Sequence, residues 1–182
     1  MKEDRYEIRL SGSGGQGIIL AGIILAEAAC IFDGREAVQT QSYGPESRGG
    51  HSKSEVVISN VEIDYPKVVS PDLLLAMTQD AFDSYCSRIK PGGIVIVDSG
   101  FVKRLADVDG RLLALPITAI AKEVTGGVIS ANIVALGAIS AASGVVSRES
   151  LEKAVVARVP KGTEEKNLAA LKAGFDAVES MK

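Results

Sequence analysis

The sequence predicts an α/β protein: a Rossmann-like three-layer domain with a mostly parallel central sheet and a helical C-terminal third. Three observations predict it. Strand-like and helix-like segments alternate through roughly the first two-thirds of the 182 residues. The turn Ser11-Gly12-Ser13-Gly14-Gly15-Gln16-Gly17 joins an apolar strand to an apolar helix. The runs Leu73–Met77 and Ile94–Val97 are continuously apolar, as strands covered on both faces must be.

Taken in order, Tyr6–Leu10 reads as the first strand, and Ile18–Ile31 is apolar enough to be a buried helix. Glu36–Ser42 and Ser52–Ser59 read as strands, the second rich in β-branched residues at Val56-Val57-Ile58. The loop Tyr43–His51 lies between them. Pro71-Asp72 opens Leu73–Met77, and a helix from Gln79 to Arg88 stops before Pro91-Gly92-Gly93. Ile94–Val97 follows with Asp98-Ser99 at its carboxyl end, then a short strand at Leu112–Ile117. From Thr118 the pattern turns helical. Ser130 can cap a helix through Ala131–Ala138 that breaks at Gly144, and Ser147 can cap one carrying Leu151, Ala154, Val155 and Arg158 at helical spacing. Thr163 precedes Glu164 and Glu165 in the first turn of a last helix, whose Leu168, Leu171, Phe175 and Val178 form one apolar stripe that reads as core contact with the sheet, a partner-subunit face being the alternative. No repeat, low-complexity tract or long linker interrupts the chain, so residues 1–182 read as a single domain.

Composition excludes several function classes. A formal net charge of −3 argues against general nucleic-acid binding, and the absence of Trp, with four Phe and four Tyr, argues against base-stacking platforms. Ile18–Ile31 is too short for a membrane span and is broken by Glu27; the polar strand before it is unlike a secretory leader. Cys30 and Cys86 lack C-x-x-C spacing and read as two reduced, buried thiols of a cytoplasmic protein. A single histidine, His51, rules out a His-based triad or a multi-histidine metal centre, and two cysteines cannot ligate a cluster. The carboxylates are scattered. No catalytic residue and no metal site are therefore expected, and the chain is not expected to run a reaction alone.

What it is expected to do is hold an anion. Gly12, Gly14 and Gly17 satisfy G-x-G-x-x-G, and the unpaired N–H groups of the helix that follows favour phosphate or carboxylate. A tight turn that binds nothing is the plain alternative. A nicotinamide or flavin site would want an acid ending the second strand, which instead ends Thr40-Gln41-Ser42; Asp33 and Glu36 come too early. No Gly-Lys-Ser/Thr follows, so this is not a nucleotide-hydrolysing loop. In the second loop Arg48 offers a fixed cationic fork beside Gly49-Gly50, unless it pairs with Glu46 at the surface.

Five segments occur in a recognisable order: Gly-Ser-Gly-Gly-Gln-Gly at 12–17, Tyr-Gly-Pro-Glu-Ser-Arg-Gly-Gly at 43–50, Lys-Pro-Gly-Gly-Ile-Val-Ile-Val-Asp at 90–98, Ala-Asn-Ile-Val-Ala-Leu-Gly-Ala at 131–138 and Asn-Leu-Ala-Ala-Leu-Lys-Ala-Gly-Phe at 167–175. Over essentially the whole chain this set resembles the gamma subunit of 2-oxoacid:ferredoxin oxidoreductases. Ser47, where pyruvate and branched-chain members tend to carry a second arginine, and the strand Ser52–Ser59 look most like the 2-oxoglutarate branch. The pyruvate, 2-oxoisovalerate and indolepyruvate branches stay open, as does a stand-alone nucleotide-binding protein.

The resemblance implies a 2-oxoacid decarboxylated on thiamine diphosphate, electrons passed through iron–sulfur clusters to ferredoxin, and an acyl group accepted by coenzyme A. It also implies alpha, beta and ferredoxin-like delta partners that carry the thiamine diphosphate, Mg and clusters. The sequence agrees in having no Gly-Asp-Gly: Asp33-Gly34 and Asp109-Gly110 each follow another residue. Coenzyme A would meet Gly12, Ser13, Gly14, Gly15, Gln16 and Gly17, with Gln16 donating from its amide. Tyr43, Gly44, Arg48 and Gly49 would line the cleft or a subunit interface, and Asn132 is a further candidate that can also serve its own helix. Whether the isolated chain pairs with itself as a homodimer is left open.

Overall fold

The computed structural model describes residues 5–43 and 51–181. Six strands, β1 (Arg5–Ser13), β2 (Glu36–Tyr43), β3 (His51–Ser59), β4 (Leu73–Ala76), β5 (Gly93–Asp98) and β6 (Gly110–Leu115), form one sheet in the order β2-β3-β1-β4-β5-β6. The helices are α1 (Ile18–Glu27), α2 (Gln79–Tyr85), α3 (Ile117–Thr125), α4 (Ala131–Ser143), α5 (Arg148–Arg158) and α6 (Glu164–Glu179). β1, β4, β5 and β6 pair in parallel, while β3 runs antiparallel to both β1 and β2. No helix separates β2 from β3, and without a crossover two successive strands can pair only antiparallel. The expected loop over 44–50 lies outside the described residues.

The layers are unequal. Alternate residues of the central strands, among them Ile8, Leu10, Val56, Ile58, Leu73, Leu75 and Ile96, join α1, α3, α4, α5 and α6 in one large core. On the opposite face α2 is the one α-helix among the described residues that packs, its Phe82 against Leu74, Ala76, Val95 and Val97. The third expected layer is thus a single helix over β4 and β5. The face of β1 and β3 beyond α2 is polar: Arg9 pairs with Glu55 at 2.8 Å and lies 4.9 Å from the centre of the Tyr85 ring.

Helix α6 meets α4 and α3 more than it meets the sheet, which corrects the expected destination of its stripe. Two glycines set that contact. A Cβ on Gly137 would fall 2.1 Å from the Leu171 carbonyl oxygen, and one on Gly174 would fall 2.0 Å from that of Val134. The two backbones touch, and any side chain there would force them apart.

Other expectations are adjusted at the element ends. The last strand stops at Leu115, because Pro116 cannot donate to the ladder and Ile117 begins α3. Ser147 caps α5, accepting from the Ser150 amide at 3.2 Å. Ser130 and Thr163 make no side-chain cap; Thr163 accepts instead from the Asn167 amide. The first helix continues through a wider π turn, Ala28–Phe32, to Asp33. Cys30 is exposed on that turn and only Cys86 is buried, against the expectation of two buried thiols. No helix among the described residues is long and apolar enough to cross a membrane.

Asp33 ties this turn to α5, accepting from the Ser147 amide at 2.9 Å, the Ser147 hydroxyl at 2.8 Å and the Ser150 hydroxyl at 2.6 Å. Desolvation pushes its carboxyl up, but the bonds from Ser150 and Ser147 and the charge of Arg35 outweigh it and hold the group below the usual carboxylate range. A depressed pKa contributes stability above the unfolded-chain value of about 4 and loses it as pH falls through the folded value. The stability advantage of the wild type over Asp33→Asn is therefore expected to be flat between about pH 6 and 8 and to shrink below about pH 4. Chemical denaturation at several pH values measures it. In the same assay Gly174→Ala is expected to lose about 2 kcal/mol or more, because the helices must separate.

Candidate functional site

The glycine-rich turn leaves the carboxyl end of β1 and enters α1. The Gln16 amide donates to the Ser13 carbonyl at 3.3 Å, closing a turn whose third residue, Gly15, has φ +90°. That sign at that place suits glycine alone. Gly12 is buried where a Cβ would fall 2.4 Å from Gln16 Oε1 and 3.0 Å from Met77 Cβ. Gly17, with φ +72°, forms the N-cap of α1, and a Cβ there would fall 2.5 Å from Asn132 Nδ2.

Two side chains brace the turn. Gln16 Oε1 accepts from the Ser13 amide at 2.8 Å, while its Nε2 donates to the Met77 carbonyl at 3.2 Å. Gln16 thus spends its acceptor and one donor on the turn and on the end of β4, where the expectation had it reaching a ligand. Asn132, buried at the start of α4, donates from Nδ2 to the Gly17 carbonyl at 3.2 Å. It does not cap α4; it holds the start of α1.

Gly14 and Gly15 are exposed. Among the described residues no side chain caps α1, and its first turn holds no acid. The N-terminal N–H groups and the positive end of the helix dipole are left open at the carboxyl edge of the sheet. A helix start of this kind favours an anion in geometry and in charge. Asp98, at the end of β5, does not enter it: its buried carboxylate accepts from the Gly100 amide and from the amide and hydroxyl of Thr118. Nor do the described residues bring three His, Cys, Asp or Glu side chains together as a metal site would need.

The second expected segment is placed only at its ends. Tyr43 pairs with Ser52, which pairs with Gly12 across β3 and β1, so β2 ends level with the glycine turn and ~10 Å from it. Gly44, Arg48 and Gly49 lie outside the described residues.

One feature escaped the sequence. Beside the turn, Leu20 of α1, the end of α3, the start of α4 and the α5–α6 connection enclose a cavity of about 400 Å³. Ile129, 86% exposed, stands at its wall. The available signal was Gly126-Gly127-Val128-Ile129, two β-branched apolar residues after a glycine pair in a loop.

Fold and site together define an α/β domain whose first helix starts uncapped at the carboxyl edge of the sheet, with no cluster of metal-ligating side chains among the described residues. The family model for pyruvate ferredoxin/flavodoxin oxidoreductase matches residues 7–177, and the chain belongs to that family. It is 54% identical to 2-oxoglutarate synthase subunit KorC of Methanocaldococcus jannaschii, over 97% of this chain and 96% of that one. It is 51% identical to a crystal structure of the gamma subunit of a keto/oxoacid ferredoxin oxidoreductase from Geobacter sulfurreducens, with a TM-score of 0.87 over 96% of this chain and 99% of that one. A third match, at 25% identity and a TM-score of 0.88, is the 2-oxoglutarate:ferredoxin oxidoreductase of Magnetococcus marinus with 2-oxoglutarate, coenzyme A and succinyl-CoA bound. That match covers all of this chain and 32% of the longer one, so the same unit occurs both as a separate chain and as part of a larger one.

The two positive-φ glycines of the turn separate strain from crowding. A Cβ on Gly15 would meet nothing within 4 Å, whereas one on Gly17 would strike Asn132. Gly15→Ala is expected to cost about 1–2 kcal/mol, the backbone penalty alone. Gly17→Ala is expected to cost at least about 1 kcal/mol more, since Asn132 must also move. Equal losses in denaturant titrations would contradict the Gly17–Asn132 contact.

Proposed function

We propose that this chain is the gamma subunit of a 2-oxoglutarate:ferredoxin oxidoreductase, which converts 2-oxoglutarate, coenzyme A and oxidised ferredoxin to succinyl-CoA, carbon dioxide and reduced ferredoxin. The observation that carries this reading is the near-full-length identity to a 2-oxoglutarate synthase subunit. Residues 1–182 act as one domain. Alpha, beta and ferredoxin-like delta subunits hold the thiamine diphosphate, Mg and iron–sulfur clusters, ferredoxin takes the electrons, and the complex works in the cytoplasm.

Coenzyme A supplies the thiol that accepts the acyl group. This chain's part is to bind and orient that molecule. Gly12, Ser13, Gly14, Gly15, Gln16 and Gly17 form the turn that meets its phosphates. The main-chain N–H groups beyond Gly14 donate, Gly12 and Gly17 keep Cβ atoms out of the way, and Gln16 and Asn132 hold the turn in shape. The donors fit the group: they are uncapped, at the positive end of α1, with no acid in its first turn. Tyr43, Gly44, Arg48 and Gly49 line the same cleft or the adjoining subunit interface, Arg48 as a clamp on phosphate.

The assembled complex, purified from its source cells, is expected to reduce a viologen dye with 2-oxoglutarate only when coenzyme A is present. Preference for pyruvate, a branched-chain oxoacid or an aryl pyruvate would move the branch. A partner-free chain from those cells, without such activity, would overturn the reading.

A further inference from the structure

We propose that the free edge of β2 is a self-pairing surface: two copies of this chain join there, β2 against β2, and continue the sheet across a two-fold axis. The inference is independent of the function proposed above. Three observations carry it.

β2 is one of the two outer strands of the sheet, and it is the unguarded one. Its eight residues pair with β3 one for one, from Glu36 opposite Ser59 to Tyr43 opposite Ser52, with no bulge. On the other side every second residue turns its N–H and C=O outward, and among the described residues no backbone group meets them. Folded proteins block such an edge with proline, lysine, a bulge or a very short strand. β2 has none of these, and its one charge, Glu36, stands at the first position. The other outer strand, β6, is shorter, begins at Gly110 and carries the exposed Arg111.

The sequence of β2 also complements itself. A two-fold axis perpendicular to the sheet sets the strands antiparallel with the same face up, so facing residues must differ by an even number. With the axis at Thr40, Thr40 meets the second copy's Thr40, Gln39 meets Gln41 and Val38 meets Ser42. All are neutral pairs, and the first two can exchange side-chain hydrogen bonds. Glu36 lies beyond the paired stretch, far from the second copy's Glu36. A second copy brings an edge of equal length with the same open groups, and one isologous contact closes both.

Beside the strand lies apolar surface for the copy to cover. The π turn Ala28–Phe32 packs against β2 and leaves Ile31 64% and Phe32 38% exposed. In the antiparallel pair the second copy's β2 finishes at the Glu36 end, where this turn leads into the strand. Ladder bonds set the register there, and burial of these two side chains adds the non-directional attraction.

The full chain, purified alone, is expected to sediment at twice its 19.0 kDa mass. Thr40→Lys puts two ammonium groups together at the axis and is expected to raise the dimer dissociation constant at least about tenfold, with an unchanged circular dichroism spectrum. Ala114→Lys, on the exposed side of β6, is expected to leave the dimer intact. The second measurement tests the register in the assembled complex. In a Cys30→Ser background, which removes the exposed thiol, Thr40→Cys is expected to link two copies through a short bis-maleimide, and Ala114→Cys is not. A wild-type chain of single mass, or a Thr40→Lys dimer as tight as wild type, would overturn the proposal. So would Thr40→Cys linked no more than Ala114→Cys, or linked to a different subunit. Should Thr40→Lys fail to fold, the cross-link decides. Each of these overturning results leaves the proposed function standing.

Discussion

The structure turns on a close approach between main chains at the carboxyl end of β1. Gly17 begins α1 with a positive φ, and Asn132 at the start of α4 holds its carbonyl. The space between them admits no Cβ. Gln16 ties the same turn to the end of β4 through Met77. One small region thus fixes two strands and two helices relative to one another, and it does so with backbone groups and two amide side chains. Because bracing comes from carbonyls, the N–H groups at the start of α1 remain open. Rigidity and an uncapped, electropositive helix start come from the same geometry.

That arrangement explains where the fold departs from symmetry. α4 must lie close to α1 to deliver Asn132, and Gly137 and Gly174 let α6 pack directly against α4 behind it. Nearly all helices therefore gather on one face. Among the described residues the opposite face keeps one α-helix, α2, and beyond it carries the paired Arg9 and Glu55 beneath Tyr85. A chain whose relatives include both a separate subunit and a segment of a longer polypeptide needs surfaces that suit both forms.

Much of this was legible in the sequence, and for identifiable reasons. The apolar runs at Leu73–Leu75 and Ile94–Val97 could only be buried strands, and the glycine turn announced its own strand–loop–helix setting. Less legible was anything set by distant partners. Ser130 looked like a cap because serine before a helix often is one, but at φ −89° and ψ 9° it does not cap α4. Gln16 looked like a ligand donor because its neighbours are glycines; only the fold reveals Met77 within reach. Gly137 and Gly174 are 37 residues apart, and nothing local says that they face one another. The cavity escaped for the same reason, since its walls come from four separate helices.

The open start of α1 is proposed to receive the phosphates of coenzyme A. The most direct measurement is a structure of the assembled complex with coenzyme A bound. Phosphate oxygens are expected within hydrogen-bonding distance of main-chain N–H groups between Gly14 and Ile19, with Gln16 and Asn132 keeping their present bonds. Coenzyme A bound with no contact to residues 12–17 would contradict it.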